Sequence, residues 1–212
     1  MGYYPSRASP PVGPHSLRLL LVRHGETVWN REGRYQGVID VPLSPEGERQ
    51  AAALAVQLRS EPLAAVYSST LRRAYYTAVP IAAAHGLTVI RDPRLNEINQ
   101  GQWEGLRPAE IVRRWPELHA RWQQEPLSVR LPGGETLEEV RARVLAALED
   151  IVLAWAGRTV CIVAHQVSLA VIRSQALGLT LAEALHAALP NASVEMVVLY
   201  EPLSALARRA RR

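Results

Sequence analysis

The chain has 212 residues, 48% of them apolar, which is enough to bury one sizeable core within a single domain. Its net charge of +4 rests on 24 basic residues, all arginine, but Arg208, Arg209, Arg211 and Arg212 crowd the last five positions, so the body is near neutral and no nucleic-acid partner is expected. No window approaches the roughly 18 uninterrupted apolar residues of a membrane span, and residues 1–16 lack the apolar core of a secretory signal, so a cytoplasmic protein with no membrane partner is expected.

In chain order, residues 1–16 are rich in Pro, Gly, Ser and Tyr without periodicity and read as a disordered leader. A single domain is expected over 17–202. Its strand candidates are Leu17 to Val22, Ala64 to Tyr67, Leu87 to Arg91, Thr159 to Ala164 and Val194 to Tyr200, short and mostly apolar as strands covered on both faces should be. Helical signals alternate with them. Ser44-Pro45 is an N-cap followed by proline at the first helical position, with Ala51, Leu54, Ala55 and Leu58 on one face behind it. A helix from about Thr70 to Ala84 is closed by Gly86, and Pro80 is expected to kink or break it. Residues 105–131, with Trp115 and Trp122, read as a helical cap or insertion. Thr136 with Glu139 and Thr180 with Glu183 are capping boxes, the first opening a long helix to about Trp155. Residues 203–212 form a basic tail. Strands alternating with helices predict an α/β fold, a three-layer α/β/α sandwich around a largely parallel sheet. The lone Cys161, inside Val160-Cys161-Ile162-Val163, excludes an internal disulfide and reads as a small core residue.

Three polar clusters directly follow predicted strands: Arg23-His24-Gly25, Ser68-Ser69 with Arg73 a turn later, and His165. Ligands of open α/β sheets bind beyond the carboxyl ends of the strands, so these clusters converge if their strands are parallel neighbours. Two histidines, two arginines and helix N-termini in one crevice suit a phosphate group, which arginine grips bidentately. A metal held by both histidines and Glu97 is the competing reading, but the spacing matches no ligand motif, and neither a metal nor a cofactor is expected.

These residues resemble the histidine phosphatase superfamily, also called phosphoglycerate mutase-like. The resemblance runs from Arg18 to Tyr200 and is carried by Leu21-Val22-Arg23-His24-Gly25-Glu26-Thr27, Trp29-Asn30, Gly33-Arg34-Tyr35-Gln36-Gly37, Tyr67-Ser68-Ser69-Thr70-Leu71-Arg72-Arg73-Ala74, Leu95-Asn96-Glu97-Ile98, Gly101-Gln102-Trp103-Glu104-Gly105 and Leu131-Pro132-Gly133-Gly134-Glu135-Thr136. It implies a phosphoglycerate mutase-like sandwich and a catalytic set of His24, Arg23, Arg73, Glu97 and His165. His24 would be the nucleophile that becomes phosphohistidine, Arg23, Arg73 and His165 the phosphate pocket, and Glu97 the general acid and base. Asn30, Gln36 and Gly37 match positions that line the pocket. Glu104 and Glu135 compete with Glu97 for the acid role, and Arg72 competes with Arg73. Gln166 stands where many members have glycine, which bears on pocket shape.

The Tyr-x-x-x-Arg-Arg-Ser-Tyr stretch that grips the substrate carboxylate in the glycolytic mutases is replaced here by Ile111-Val112-Arg113-Arg114-Trp115-Pro116. The resemblance therefore implies hydrolysis of a small phosphorylated metabolite, of sugar phosphate or phosphoglycerate type. Mutase activity is the first alternative, and a catalytically silent module that binds a phosphorylated ligand is the second. Dimers are common among proteins that resemble this one.

Overall fold

The first strand sorts its side chains into two cores. In β1 (Leu17–Arg23), Leu17, Leu19 and Leu21 are buried on one face and Leu20 and Val22 on the other. β2 (Leu63–Ser68), β3 (Val89–Arg91), β4 (Thr159–Ala164) and β5 (Val194–Leu199) complete a sheet of order β3-β2-β4-β1-β5. The computed structural model describes residues 16–200; the basic tail and all of the expected leader except Ser16 lie outside them.

The first four strands run parallel and β5 is antiparallel to β1, so the largely parallel sheet expected from the sequence is what forms. The exception has a simple cause. The chain reaches the carboxyl end of β1 before β5 begins, where Val194 pairs with Val22, and it can only run back down the sheet. β4 lies between β1 and β2, which brings Arg23, Ser68 and Ala164 to adjacent strand ends.

Helices cover both faces. α2 (Pro45–Gln57) and α3 (Arg72–Ala83) pack Leu54, Ala74, Ala78 and Ile81 against Leu20, Val22, Val66, Cys161 and Val163. On the other face, α6 (Leu137–Trp155) presents Val140, Val144, Ala147, Leu148 and Ile151, and α7 (Gln166–Leu177) adds Leu169, Ala170 and Ile172. α1 (Val28–Glu32), α4 (Pro108–Arg114), α5 (Pro116–Gln124) and α8 (Leu181–His186) are shorter pieces around the carboxyl ends of the strands and the second face. Burial pushes the Cys161 thiol up to about 12, so it is an inert core group.

Two boundaries differ from expectation. Pro80 neither ends nor breaks α3, which continues to Ala83. The carbonyl that proline leaves without a donor belongs to Tyr76, whose side is exposed, so water can take that bond. β3 begins at Val89 rather than Leu87 because Gly86, at φ 67°, and the Leu87 N–H are still closing the helix, the latter on Ala82 O at 2.9 Å.

The loop after β1 is clamped to the first turn of α2. Ser44 caps that helix by accepting the Gly47 N–H at 3.1 Å, and its hydroxyl donates to Glu26 Oε1 at 2.7 Å. A Cβ on Gly47 would fall 2.1 Å from Glu26 O, and one on Gly25 2.7 Å from Gly47 O. On an exposed helix Gly→Ala stabilises by about 1 kcal/mol. Here the sign should reverse: Gly47→Ala is expected to cost about 1–3 kcal/mol by overpacking, lowering Tm by roughly 2–12 °C for a chain of this size. A thermal melt showing an unchanged or raised Tm would refute the close packing.

Candidate active site

His24 emerges from β1 into a cleft of about 230 Å3 beyond the strand ends, 3% exposed. Its Nδ1 lies 2.7 Å from Gly25 O. A carbonyl oxygen only accepts, so the ring proton sits on Nδ1 and Nε2 carries the lone pair. Burial first, then the neighbouring guanidiniums of Arg73 and Arg23, hold His24 well below the usual histidine range. It is therefore neutral and nucleophilic at ordinary pH. The backbone around it is tied on every side. Its N–H donates to Ala164 O at 3.1 Å, its carbonyl accepts Asn191 Nδ2 at 3.0 Å, and the Gly25 N–H donates to Thr77 Oγ1 at 2.9 Å.

His165 follows β4 at the head of α7, fully buried, with its ring centroid 5.1 Å from that of His24. Its Nε2 lies 2.6 Å from Ser69 Oγ, which also accepts the Leu71 N–H at 3.3 Å. With the serine proton on Nε2, the ring proton sits on Nδ1, a buried atom with no protein partner. Burial, Arg73 and the other neighbouring cationic side chains depress this histidine too.

Arg73 is 1% exposed and its neighbour Arg72 is on the surface. Its two terminal nitrogens donate to Ile39 O at 2.8 Å and Gly37 O at 2.7 Å, and burial brings its pKa down to about 10. Arg23 donates to Leu189 O at 2.5 Å. The Nε of both arginines is buried without a partner. Three nitrogens, Arg23 Nε, Arg73 Nε and His165 Nδ1, are thus desolvated donors with nothing among the described residues to accept from them, a state that an oxyanion would relieve.

Asn30, Gln36 and Gly37 line the same cleft. Asn30 Oδ1 accepts from Thr27 N, Thr27 Oγ1 and Asn191 Nδ2, and Gln36 Oε1 faces Thr27 Oγ1 at 3.1 Å. The one Thr27 hydroxyl proton serves a single amide oxygen at a time, and neither the Asn30 nor the Gln36 NH2 group has a hydrogen-bond partner among the described residues. Gly37 adopts φ 54°, and a Cβ there would strike Glu104 Oε1 at 1.9 Å.

Of the three carboxylates weighed from sequence, Glu97 is the one that lines the cleft. Glu104 Oε1 accepts the Val38 and Gln100 N–H groups at 2.8 and 3.1 Å, and Glu135 pairs with Arg143 at 2.9 Å and accepts the Asn99 N–H. Glu97 is partly buried. Burial raises its pKa, opposed by the N–H groups of Ile98 and Val167 and by the two arginines. Gln166 opens α7 at the cleft wall and donates from Nε2 to Leu185 O at 3.3 Å. Among the described residues, no group of three His, Cys, Asp or Glu side chains is placed to hold a metal ion.

The chain matches the family model described as the histidine phosphatase superfamily (branch 1) over residues 19–209. It belongs to that superfamily. Phosphoserine phosphatase 1 of Hydrogenobacter thermophilus is 40% identical over 185 residues, 87% of this chain and 88% of that one. The Yersinia enterocolitica protein named probable phosphoglycerate mutase GpmB is 40% identical over 167 residues, 77% of this chain and 76% of that one. Among solved structures, the native mycobacterial glucosyl-3-phosphoglycerate phosphatase aligns with a TM-score of 0.79 at 34% identity, covering 86% of this chain and 90% of that one.

Ser69 belongs to the polar cluster after the second strand, but other residues that shape this histidine phosphatase site carried no local sequence signal. Leu189 contributes a carbonyl, and Asn191 sits in a Pro-Asn turn. Ala192 holds φ 55°, and its N–H reaches both Arg23 O at 3.0 Å and His24 O at 3.2 Å. Arg143 does most to place Glu97. From α6 it donates to Arg94 O, Asn96 O and Glu97 O at 2.8, 2.7 and 3.0 Å while pairing with Glu135. Its charge on the otherwise apolar stripe of Val140, Val144 and Ala147 was the available clue. Arg143→Met is expected to cost roughly 2–4 kcal/mol in a denaturant melt, by stranding three carbonyls and one carboxylate. In the folded fraction, loosening Glu97 should lower kcat by about 100-fold. Unchanged kcat would show that Glu97 is held by other means.

Proposed function

We propose that this protein is a phosphomonoesterase that acts on a small phosphorylated metabolite through a phosphohistidine formed on His24. The observation that carries this reading is the neutral Nε2 of His24, with its lone pair free, beside three buried N–H donors that lack an acceptor. The names of the Hydrogenobacter and mycobacterial relatives support phosphatase chemistry.

In the first step, the Nε2 lone pair forms a bond to phosphorus as the bond to the ester oxygen breaks. Arg23, Arg73 and His165 donate to the equatorial oxygens, where charge gathers in the transition state. Asn30 and Gln36 add their NH2 groups. Glu97, whose pKa burial raises, gives its proton to the departing oxygen, and the alcohol leaves. Its carboxylate then takes a proton from water as the water oxygen attacks phosphorus. The N–P bond breaks, the electron pair returns to Nε2, and inorganic phosphate departs with Glu97 protonated again.

Phosphate release from p-nitrophenyl phosphate should fall by at least about 1,000-fold in His24→Ala, and acid-labile, base-stable label from a radiolabelled ester should be trapped on the wild type alone. Equal release by both proteins would end the proposal. The mutase reading is favoured by the Yersinia relative's name. It would prevail if 3-phosphoglycerate primed with 2,3-bisphosphoglycerate isomerised without net phosphate release.

The acid role has its own signature. With His24 depressed well below 6.5 and Glu97 raised from its ordinary value, kcat/KM should fall on the acid side only as His24 takes up a proton, and on the alkaline side as Glu97 loses one. The alkaline fall should be pronounced for alkyl esters, whose leaving oxygen needs the proton, and shallow for p-nitrophenyl phosphate. Glu97→Gln should lower the alkyl rate by about 100- to 10,000-fold and remove that dependence on the leaving group. A variant with parallel losses on both esters would assign the proton to another group.

A further inference from the structure

A second compartment adjoins the phosphate cleft. Tyr35, Glu97, Gln100 and Gln166 line both, and beyond them Trp122, Pro126, Val167 and Leu185 enclose a chamber of about 250 Å3. An alcohol departing from phosphorus on the Glu97 side enters this chamber. Its volume lies below the roughly 300–1,000 Å3 of sites for drug-sized ligands, so the alcohol is small.

The chamber carries no fixed positive charge. No arginine lines it, the chain has no lysine, and its one basic side chain is the exposed His186. His186 Nδ1 lies 2.7 Å from Ala182 O, so in the neutral ring the remaining nitrogen is an acceptor. Arg34, on the phosphate side, is already committed. It donates to Glu32 at 2.6 Å and to Gly105 O at 2.8 Å, with Glu110 3.9 Å away.

Besides the Tyr35 hydroxyl and the Trp122 indole N–H, the wall of the chamber includes a carbonyl oxygen whose direction the structure fixes. Gln166 Oε1 is buried without a partner, and its orientation is fixed because the amide nitrogen donates to Leu185 O. A desolvated carbonyl oxygen of fixed direction next to a carboxyl group calls for a hydroxyl donor and disfavours an anion. The rings of Tyr35 and Trp122 supply flat apolar surface for the C–H faces of a carbon skeleton.

We propose that this chamber selects phosphomonoesters of neutral, hydroxyl-rich alcohols and disfavours those whose alcohol bears a carboxylate. The proposal rests on the phosphomonoesterase reading above and narrows its substrate class. It separates this chain from what the names of its phosphoserine and phosphoglycerate relatives say of them.

The test is a matched pair offered to the full-length protein. Glycerol 3-phosphate and 3-phosphoglycerate share a three-carbon skeleton with phosphate on the terminal carbon, and differ by a CH2OH in place of a carboxylate. The expected ratio of kcat/KM is tenfold or more in favour of glycerol 3-phosphate, because a site with an unpaired acceptor rejects the wrong polar group strongly. A ratio below tenfold, with p-nitrophenyl phosphate still hydrolysed, overturns the selectivity and leaves the phosphomonoesterase reading standing. No release from any of the three overturns both. Gln100→Arg places a cation in the chamber and is expected to narrow the ratio by about tenfold; an unchanged ratio would show that the chamber does not read the alcohol. The ratio is internal to each protein, so a partly unfolded preparation does not disguise it.

Discussion

Three buried N–H groups with nothing to donate to set the terms for the rest of this structure. Arg23 Nε and Arg73 Nε, on residues that line the cleft, and His165 Nδ1, on the buried ring beside His24, are desolvated without a hydrogen-bond partner among the described residues. Each such group opposes folding by about 1–3 kcal/mol, and two belong to guanidiniums that burial itself disfavours. The surrounding fold must hold them there, and it does so with backbone carbonyls. Ile39, Gly37 and Leu189 take the outer nitrogens of the two arginines, which fixes each guanidinium and leaves its Nε unmet. Burial first, and then the same two guanidiniums, hold both histidines well below the usual histidine range, so the charges that would receive an anion also help to keep the His24 lone pair free.

The sheet order explains how residues from distant parts of the chain meet there. Because β4 is threaded between β1 and β2, the residues that follow these three strands, His24, Ser69 and His165, come from adjacent strand ends. Two direct hydrogen bonds record the result, His24 N–H on Ala164 O and Ser69 Oγ on His165 Nε2. The loop after β1 then has to turn sharply over α2, and Gly25 and Gly47 permit that backbone contact. α7 begins immediately after His165, so its first turn faces the cleft. The Val167 N–H lands on Glu97, which ties the acid to the same strand end as the second histidine.

Much of this was legible in the sequence, for physical reasons that differ by element. The five strands are short apolar runs because both faces of the sheet are covered, and Ser44-Pro45 and Thr136 with Glu139 announce helices through bonds made within four residues. Arg23, His24, Arg73 and His165 could be proposed for one site because their motifs follow those strands, whereas Asn30, Gln36, Gly37 and Glu97 were proposed only through the family resemblance. What was not legible is non-local. α7 has no proline, acidic first turn or capping threonine, and it is buried on nearly every side through Ser174, so no amphipathic period marks it. Pro80 looked like a breaker because sequence does not say that Tyr76, one turn earlier, faces water. Arg143 and Asn191 act on backbone carbonyls 46 to 49 and 167 residues away, and no local pattern encodes that.

Glu97 lies on the seam between two compartments that ask opposite things of it. Arg23 and Arg73 in the phosphate cleft stabilise its carboxylate, as do the Ile98 and Val167 amides, yet burial wins and its pKa is raised. That balance depends on what the other compartment contains. An arginine placed in the amide-lined chamber to hold a substrate carboxylate would add a third cation beside Glu97 and pull its pKa back down. The proton needed by a poor leaving group would then be held less firmly. Lining the chamber with Gln100, Gln166, Tyr35 and Trp122 avoids that conflict, so the neutrality of the chamber and the acidity of Glu97 are consequences of one arrangement of charge.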